Sequence, residues 1–136
     1  MADGQDEVRV VALVPAEMQE TLRLQLAPIG VTLDFISEAT DLSQEALRRT
    51  LYHVALLPAA LPDNGWWSLW GEITLFCPQP EILVYAQTAS FQLWSGVLEV
   101  GGYDIIIEPF TEEEIQRSVL RAARSFKERC SDDGNE

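Results

Sequence analysis

The stretch Asp104-Ile105-Ile106-Ile107-Glu108-Pro109-Phe110-Thr111 joins a strand pattern to a proline turn and then to a helix start. Three consecutive isoleucines favour an extended strand that is covered on both faces. Thr111, followed three residues later by Glu114, has the spacing of a capping box at a helix start. In an open α/β sheet, ligands bind at the carboxyl ends of the strands. The stretch therefore predicts a strand, a turn and a helix, with Glu108 at that edge of a sheet.

The rest of the chain alternates between strand-like and helix-like segments. Runs of β-branched or alternating apolar residues predict strands at residues 8–14, 31–36, 54–57, 81–86 and 105–107. Apolar residues at helical spacing predict helices at residues 18–29, 43–51, 66–76, 91–100 and 112–127. Five strand–helix units in one chain predict an α/β fold, in which helices cover a parallel sheet.

Size and composition indicate one domain. The chain has 136 residues and a hydrophobic content of 47%, which is enough for a single core. We place the domain at residues 8–127 and expect the polar segments 1–7 and 130–136 to be disordered tails. No run of about 18 apolar residues could span a bilayer, and the polar start is unlike a secretory leader. We therefore expect a cytoplasmic protein with no membrane partner.

Charge and cysteine spacing argue against several classes of ligand. The formal net charge of −13 would repel the phosphate backbone of nucleic acids. No lysine or arginine occurs between Arg49 and Arg117, so an anion held there would depend on backbone N–H groups. Cys77 and Cys130 lack the spacing of a zinc site. We expect no nucleic-acid partner, no metal and no cofactor.

The order of elements and several short motifs resemble the receiver domain of bacterial two-component response regulators. The motifs are Leu56-Leu57-Pro58, Pro62, Gly65, Leu98-Glu99-Val100-Gly101-Gly102 and Glu108-Pro109-Phe110, and the resemblance covers about residues 8–127. It implies the flavodoxin-like, or CheY-like, (βα)5 fold: a three-layer sandwich around a parallel five-stranded sheet of order 2-1-3-4-5. Receivers usually have a cis bond before the proline that follows the fifth strand, and the residues alone leave its state open here.

The phosphotransfer chemistry of receivers needs five groups at the strand ends. An acidic pair after the first strand binds Mg²⁺, an Asp ends the third strand and accepts the phosphoryl group, a Ser or Thr ends the fourth, and a Lys precedes the proline. By the resemblance these positions fall on Leu13 and Val14 (or Val14 and Pro15 after a slip of one residue), Pro58, Ala86 and Glu108. Pro58 has no nucleophilic side chain, and Glu108 would repel phosphoryl oxygens. The resemblance therefore implies a pseudo-receiver that is not phosphorylated at this site.

Aromatic and basic residues provide candidates for a protein interface. If Trp66 faces the sheet, Trp67 and Trp70 share the outer side of the third predicted helix, where exposed tryptophans are typical of an interface. A different orientation of that helix would bury them. Trp94, Arg117 and Arg121 fall on the surface that receivers use for dimerisation, formed by the fourth helix, fifth strand and fifth helix. Ordinary solvation and helix pairing, such as Glu113 with Arg117, explain the arginines equally well.

These observations favour a non-catalytic signalling module that contacts a kinase, a regulator or a second copy of itself. The alternative is a sensor that binds an uncharged small ligand in an apolar crevice formed by Leu13, Pro58, Ala86 and Pro109. An enzyme is the least favoured class, because the chain has no phosphate-binding loop, nucleophile elbow or metal-ligand cluster. The only histidine, His53, has no nearby Ser, Cys or acid in sequence and is interpreted as a residue at a strand edge.

Overall fold

The computed structural model describes residues 8–36, 51–59, 73, 76, 78–87, 91–99 and 101–134, with the backbone alone for residues 91–94 and 131–134. The helices predicted at residues 43–51 and 66–76 and the tail predicted at residues 1–7 fall almost wholly outside this part of the chain. Among the residues described, there is no helix with the length and apolar character needed to span a membrane.

Five strands and three helices are described along the chain. The strands are β1 (Arg9–Leu13), β2 (Thr32–Ile36), β3 (Val54–Pro58), β4 (Glu81–Ala86) and β5 (Asp104–Ile107). The described helices are α1 (Ala16–Leu26), which continues into a 3-10 turn (Ala27–Ile29), α2 (Phe91–Glu99) and α3 (Glu112–Gly134). Here α2 and α3 are the helices predicted as the fourth and fifth.

The strands form one sheet in the order β2-β1-β3-β4-β5, and all neighbouring pairs are parallel. This confirms the predicted α/β class and the predicted strand order. Each strand ends at the carboxyl edge of the sheet, and the next strand begins at the amino edge. The chain therefore crosses back over a face of the sheet, and the described helices pack on these faces.

Side chains from both faces of the sheet are buried. Alternate strand residues such as Val10, Leu56 and Leu83 pack with α1 and α3 through Leu22 and Ile115. The intervening strand residues form a second cluster on the opposite face, which includes Val11, Ala55, Leu57, Ile82, Val84 and Val97. Burial on both faces explains why β1, β3 and β4 are almost continuously apolar.

Local sequence signals set the ends of two helices. At the start of α3, the Glu114 N–H donates to Thr111 Oγ1 at 3.1 Å and the Thr111 N–H donates to Glu114 Oε1 at 2.8 Å, which confirms the predicted capping box. After α2, the Gly101 N–H donates to the Leu98 carbonyl and the Gly102 N–H to the Val97 carbonyl. Gly101 has a φ of 96°, so this is the Schellman arrangement that glycine permits.

Helix α3 is longer than the sequence pattern predicts. It was expected to end near residue 127, but it continues to Gly134. Residues 130–134 are therefore helical, which differs from the tail predicted at residues 130–136. No proline or glycine interrupts the sequence between Pro109 and Gly134, so the backbone meets no residue that would end the helix earlier.

Candidate functional site

The structure brings the five predicted site positions to one edge of the sheet. Leu13, Pro58 and Ala86 are the last residues of β1, β3 and β4. Val14 follows β1 directly, and Glu108 follows β5 and precedes Pro109 through a cis peptide bond. Since all strands are parallel, these ends form the carboxyl edge, where α/β proteins bind ligands.

The described side chains at the ends of β1 and β3 do not fit a magnesium ion. Leu13 and Val14 are buried hydrocarbon side chains, whereas Mg²⁺ requires hard oxygen ligands. Pro58 provides a ring in the position where phosphotransfer needs a nucleophile. In the part of the chain that is described, no group of three or more His, Cys, Asp or Glu residues could hold a metal ion. The Glu108 carboxylate is the charged group among the five positions.

Strand register assigns Tyr85, not Ala86, to the face that carries Pro58. Pro58 pairs with Tyr85, and paired residues of neighbouring strands point to the same face. Ala86 pairs with Ile107 and points to the opposite face. A shift of one residue exchanges the two faces of a strand. The resemblance assigns the hydroxyl position to Ala86, the last residue of β4, and the sequence alone gives no signal for Tyr85.

The Tyr85 side chain crosses the end of β3. Its hydroxyl donates a hydrogen bond of 2.8 Å to the carbonyl oxygen of Leu13. Because β3 lies between β4 and β1, the phenol ring must pass over the carboxyl end of β3 to reach that oxygen. Tyr85 is only 6% exposed, so its ring is part of the core on this face.

The surroundings of Tyr85 keep its phenol protonated. Burial, together with the smaller effect of the negative charge of Glu108, raises the pKa of Tyr85 from 10.0 to about 12. A protonated phenol can donate a hydrogen bond, whereas a phenolate cannot. The hydroxyl is therefore a donor to Leu13 throughout the neutral pH range.

The predicted interface residues are only partly within the described structure. Trp67 and Trp70 lie outside the described residues, and Trp94 lies in α2 where only the backbone is described. Arg117 and Arg121 are exposed on α3. The Arg117 Nη2 atom is 2.9 Å from Glu113 Oε2 in an i, i+4 pair. This pair is the local interaction that the sequence predicts.

Two of the described apolar side chains are exposed on the surface predicted for dimerisation. Leu98 of α2 is 48% exposed and Ile107 of β5 is 38% exposed. Leu120 of α3 is exposed as well, but it lies one turn after Gln116, whose side chain donates to the Gln25 carbonyl of α1. Leu120 is therefore on the α1 side of α3. Among the described side chains, Leu98 and Ile107 are therefore the exposed large apolar residues of the predicted surface.

His53 lies at the opposite end of the sheet from the candidate site. It precedes β3 and is buried. Its Nδ1 atom accepts a hydrogen bond of 3.0 Å from the Arg9 backbone N–H, and its ring meets the Phe126 ring edge-on at 5.2 Å between centroids. These contacts support a structural role for His53.

The strand order, the parallel pairing of all strands and the helices on the sheet define an α/β protein with the flavodoxin-like fold. More particularly, the fold is that of response regulator receiver domains. The CheY-like receiver from Methanospirillum hungatei JF-1 superimposes with a TM-score of 0.76 and 15% identity, covering 91% of this chain and 99% of that chain. A response regulator receiver domain from Clostridium thermocellum gives a TM-score of 0.75 and 12% identity, covering 88% and 97%.

A third similar structure contains a metal ion. The receiver domain of the sensor histidine kinase PA1611 from Pseudomonas aeruginosa PAO1 has a magnesium ion coordinated in its active site cleft. It superimposes with a TM-score of 0.71 and 19% identity, covering 86% of this chain and 98% of that chain. No protein-family model matches the sequence of this chain, and no curated protein matches it either.

Proposed function

We propose that this chain is a phosphorylation-independent pseudo-receiver, which acts in two-component-type signalling by contact with another protein. The observation that carries the proposal is the composition of the carboxyl edge. Pro58 ends β3, Leu13 and Val14 follow one another at the end of β1, and the Tyr85 hydroxyl is bonded to the Leu13 carbonyl. The receiver fold is retained while its phosphotransfer chemistry is lost.

The residues at the carboxyl edge of the sheet disfavour each step of phosphotransfer. An acceptor needs a nucleophilic oxygen, and a proline ring has none. The charge that develops on the phosphoryl group needs a metal and a cation, but hydrocarbon side chains occupy the end of β1 and Glu108 follows β5. A carboxylate next to phosphoryl oxygens is repulsive. The expected absence of enzymatic activity and the cytoplasmic location belong to this proposal.

The same scaffold can still bind proteins through its surface. Leu98 and Ile107 provide exposed apolar area, and the exposed Arg117 and Arg121 provide charge on α3. The partner is a kinase, a regulator or a second copy of this chain, and a second copy would dimerise through α2, β5 and α3. Without a chemical trigger, only a partner with different affinities for two conformations can shift the module between them.

The ligand-sensor alternative is less well supported. It needs an open crevice between Leu13 and Pro58 for an uncharged ligand. The Tyr85 side chain lies across this crevice and forms a hydrogen bond at its far side. A ligand would therefore have to displace a buried ring, so we favour the protein-contact role.

Treatment with acetyl phosphate and Mg²⁺ tests the loss of phosphotransfer. We expect the intact mass to remain that of the unmodified chain, because the proline at the acceptor position has no nucleophilic oxygen. A receiver with an intact acidic pair and acceptor Asp serves as the positive control. Incorporation of one phosphoryl group, mapped by peptide analysis to the region around Pro58, would overturn the proposal.

Affinity capture and sedimentation test the contact surface. Wild type, Ile107→Glu and Leu24→Glu are compared, since Leu24 is an exposed leucine on α1 and is a matched control away from β5. We expect Ile107→Glu to lose the partner or the dimer and Leu24→Glu to keep it. A Trp67→Ala, Trp70→Ala variant tests the second predicted surface in the same way. Equal recovery with all variants would show that neither surface is used.

A further inference from the structure

We propose that the Tyr85 hydroxyl replaces a backbone hydrogen-bond donor that the sheet loses at Pro58. The two residues then act as one unit. Pro58 removes a backbone hydrogen bond between β3 and β1, and the Tyr85 hydroxyl of β4 donates a hydrogen bond to β1 in its place. We call this unit the Pro58–Tyr85 latch. It deepens the proposed function, because it gives the former phosphoacceptor position a structural role.

Backbone directions in β3 place Pro58 opposite β1. The Ala59 N–H donates to the Tyr85 carbonyl, and the His53 carbonyl accepts from the Glu81 N–H. The His53 carbonyl and the Ala59 N–H are thus directed to β4, whereas the His53 N–H, before the strand begins, donates to the Arg9 carbonyl of β1. In a strand, successive residues direct their backbone polar groups to opposite sides. The backbone at residue 58 is therefore directed to β1.

The backbone of Leu13 is directed to the same gap from the other side. The Thr32 N–H donates to the Val8 carbonyl, so even-numbered residues of β1 direct their backbone groups to β2. Leu13, an odd-numbered residue, directs its carbonyl to β3. The carbonyl of Leu13 and the backbone nitrogen of residue 58 therefore face each other.

The ladder of hydrogen bonds between β1 and β3 ends at the position where residue 58 would bond to the Leu13 carbonyl. Its last pair is Ala12 with Leu56, although β1 continues to pair with β2 through Leu13 and β3 with β4 through Pro58. In a parallel ladder, the next bond would run from the N–H of residue 58 to the carbonyl of Leu13. Proline has no N–H. The proline therefore leaves the Leu13 carbonyl without its ladder donor.

Tyr85 provides the replacement donor. Neighbouring strands are about 4.8 Å apart, so β4 and β1 are separated by about 10 Å, and a tyrosine side chain that leans across β3 bridges this distance. Its hydroxyl is 2.8 Å from the Leu13 oxygen. Leu13 is only 7% exposed, and a buried carbonyl without a donor destabilises the fold. The latch therefore satisfies the Leu13 carbonyl and closes the crevice at the same time.

A double-mutant cycle with Tyr85→Phe and Pro58→Ala tests the latch. In the wild-type background, Tyr85→Phe keeps the ring but leaves the Leu13 carbonyl without a donor, and the unfolding equilibrium constant should rise roughly 5- to 100-fold. In the Pro58→Ala background, the Ala N–H can bond the Leu13 carbonyl. The same tyrosine substitution should then raise the constant by less than about 3-fold.

Tyr52→Phe is the matched control. It removes another buried tyrosine hydroxyl, which donates to Asp34 Oδ2 at 2.8 Å, and its effect should be the same with Pro58 or Ala at position 58. An equal effect of Tyr85→Phe in both backgrounds would overturn the latch. If either variant is too unstable for the cycle, the carbonyl ¹³C shift of Leu13 decides instead. This chemical shift should differ between Tyr85→Phe and wild type, and an unchanged shift would overturn the proposal.

The cycle separates the latch from the proposed function. Unfolding is measured on the isolated chain, with neither phosphate donor nor partner present. Additive effects in the cycle with no phosphate incorporation would remove the latch and leave the pseudo-receiver proposal standing. Coupling in the cycle together with incorporation of a phosphoryl group in the region around Pro58 would keep the latch and overturn the pseudo-receiver proposal.

Discussion

The His53 Nδ1 atom accepts a hydrogen bond from the Arg9 backbone N–H at the amino end of the sheet. The histidine ring also packs edge-on against Phe126 of α3. One side chain thus links β1 to the segment before β3 and supports α3. The bond requires an unprotonated Nδ1, because a nitrogen that carries a proton cannot accept.

The two contacts of His53 can be separated by substitution. His53→Phe keeps an aromatic ring against Phe126 but removes the acceptor for the Arg9 N–H, and we expect a loss of about 1 to 2 kcal/mol in the free energy of unfolding. His53→Ala also removes the ring and should cost about 2 to 4 kcal/mol. Urea denaturation measures both values. Equal losses for the two variants would show that the ring contact contributes nothing.

Gly102 and Gly96 form a matched pair for a second test. A Cβ atom on Gly102 would lie 2.4 Å from Val97 Cγ1 and 3.0 Å from the Val97 carbonyl oxygen, whereas a Cβ atom on Gly96 meets nothing within 4 Å. Gly102→Ala should destabilise the protein by about 1 to 3 kcal/mol, since the clash disrupts the helix end. Gly96→Ala, in the middle of α2, should stabilise it by about 0.5 to 1 kcal/mol. Thermal unfolding of both variants provides the comparison, and shifts of the same sign would contradict it.

The capping box of α3 gives a third prediction. Thr111→Ala removes the acceptor for the Glu114 N–H and should lower the free energy of unfolding by about 1 kcal/mol. Thr111→Ser keeps a hydroxyl at the same position and serves as the control. If the serine variant loses as much stability as the alanine variant, the hydrogen bond is not the source of the effect.

The fold could be predicted from the sequence because its signals are local and repeated. The isoleucine run of β5, the glycines after α2 and the Thr111–Glu114 spacing each indicate an element by themselves, and their order indicates a parallel sheet. The length of α3 was underestimated, because polar residues after 127 carry no apolar pattern although they can continue a helix.

The chemistry of the site could be predicted only in part. The residue types at positions 13, 58 and 108 are enough to predict the loss of the metal ligands and of the acceptor, without knowledge of their exact geometry. The role of Tyr85 could not be found in the same way, since it depends on which residue of β4 pairs with Pro58. Such a pairing is a long-range property of the sheet. A shift of one residue in the pairing moves a side chain to the other face of the sheet.

Alkaline titration tests the surroundings of Tyr85. Its pKa in the folded protein is about 12, above the ordinary value of 10.0, so the stabilising contribution of the protonated phenol is complete below about pH 10 and is lost as the pH rises towards 12. Ultraviolet absorbance of tyrosinate should show an ionisation phase near pH 12, and Tyr85→Phe should reduce the amplitude of this phase by one tyrosine. The variant should also lose less stability than wild type between pH 10 and 12. An unchanged amplitude in Tyr85→Phe would contradict the assignment.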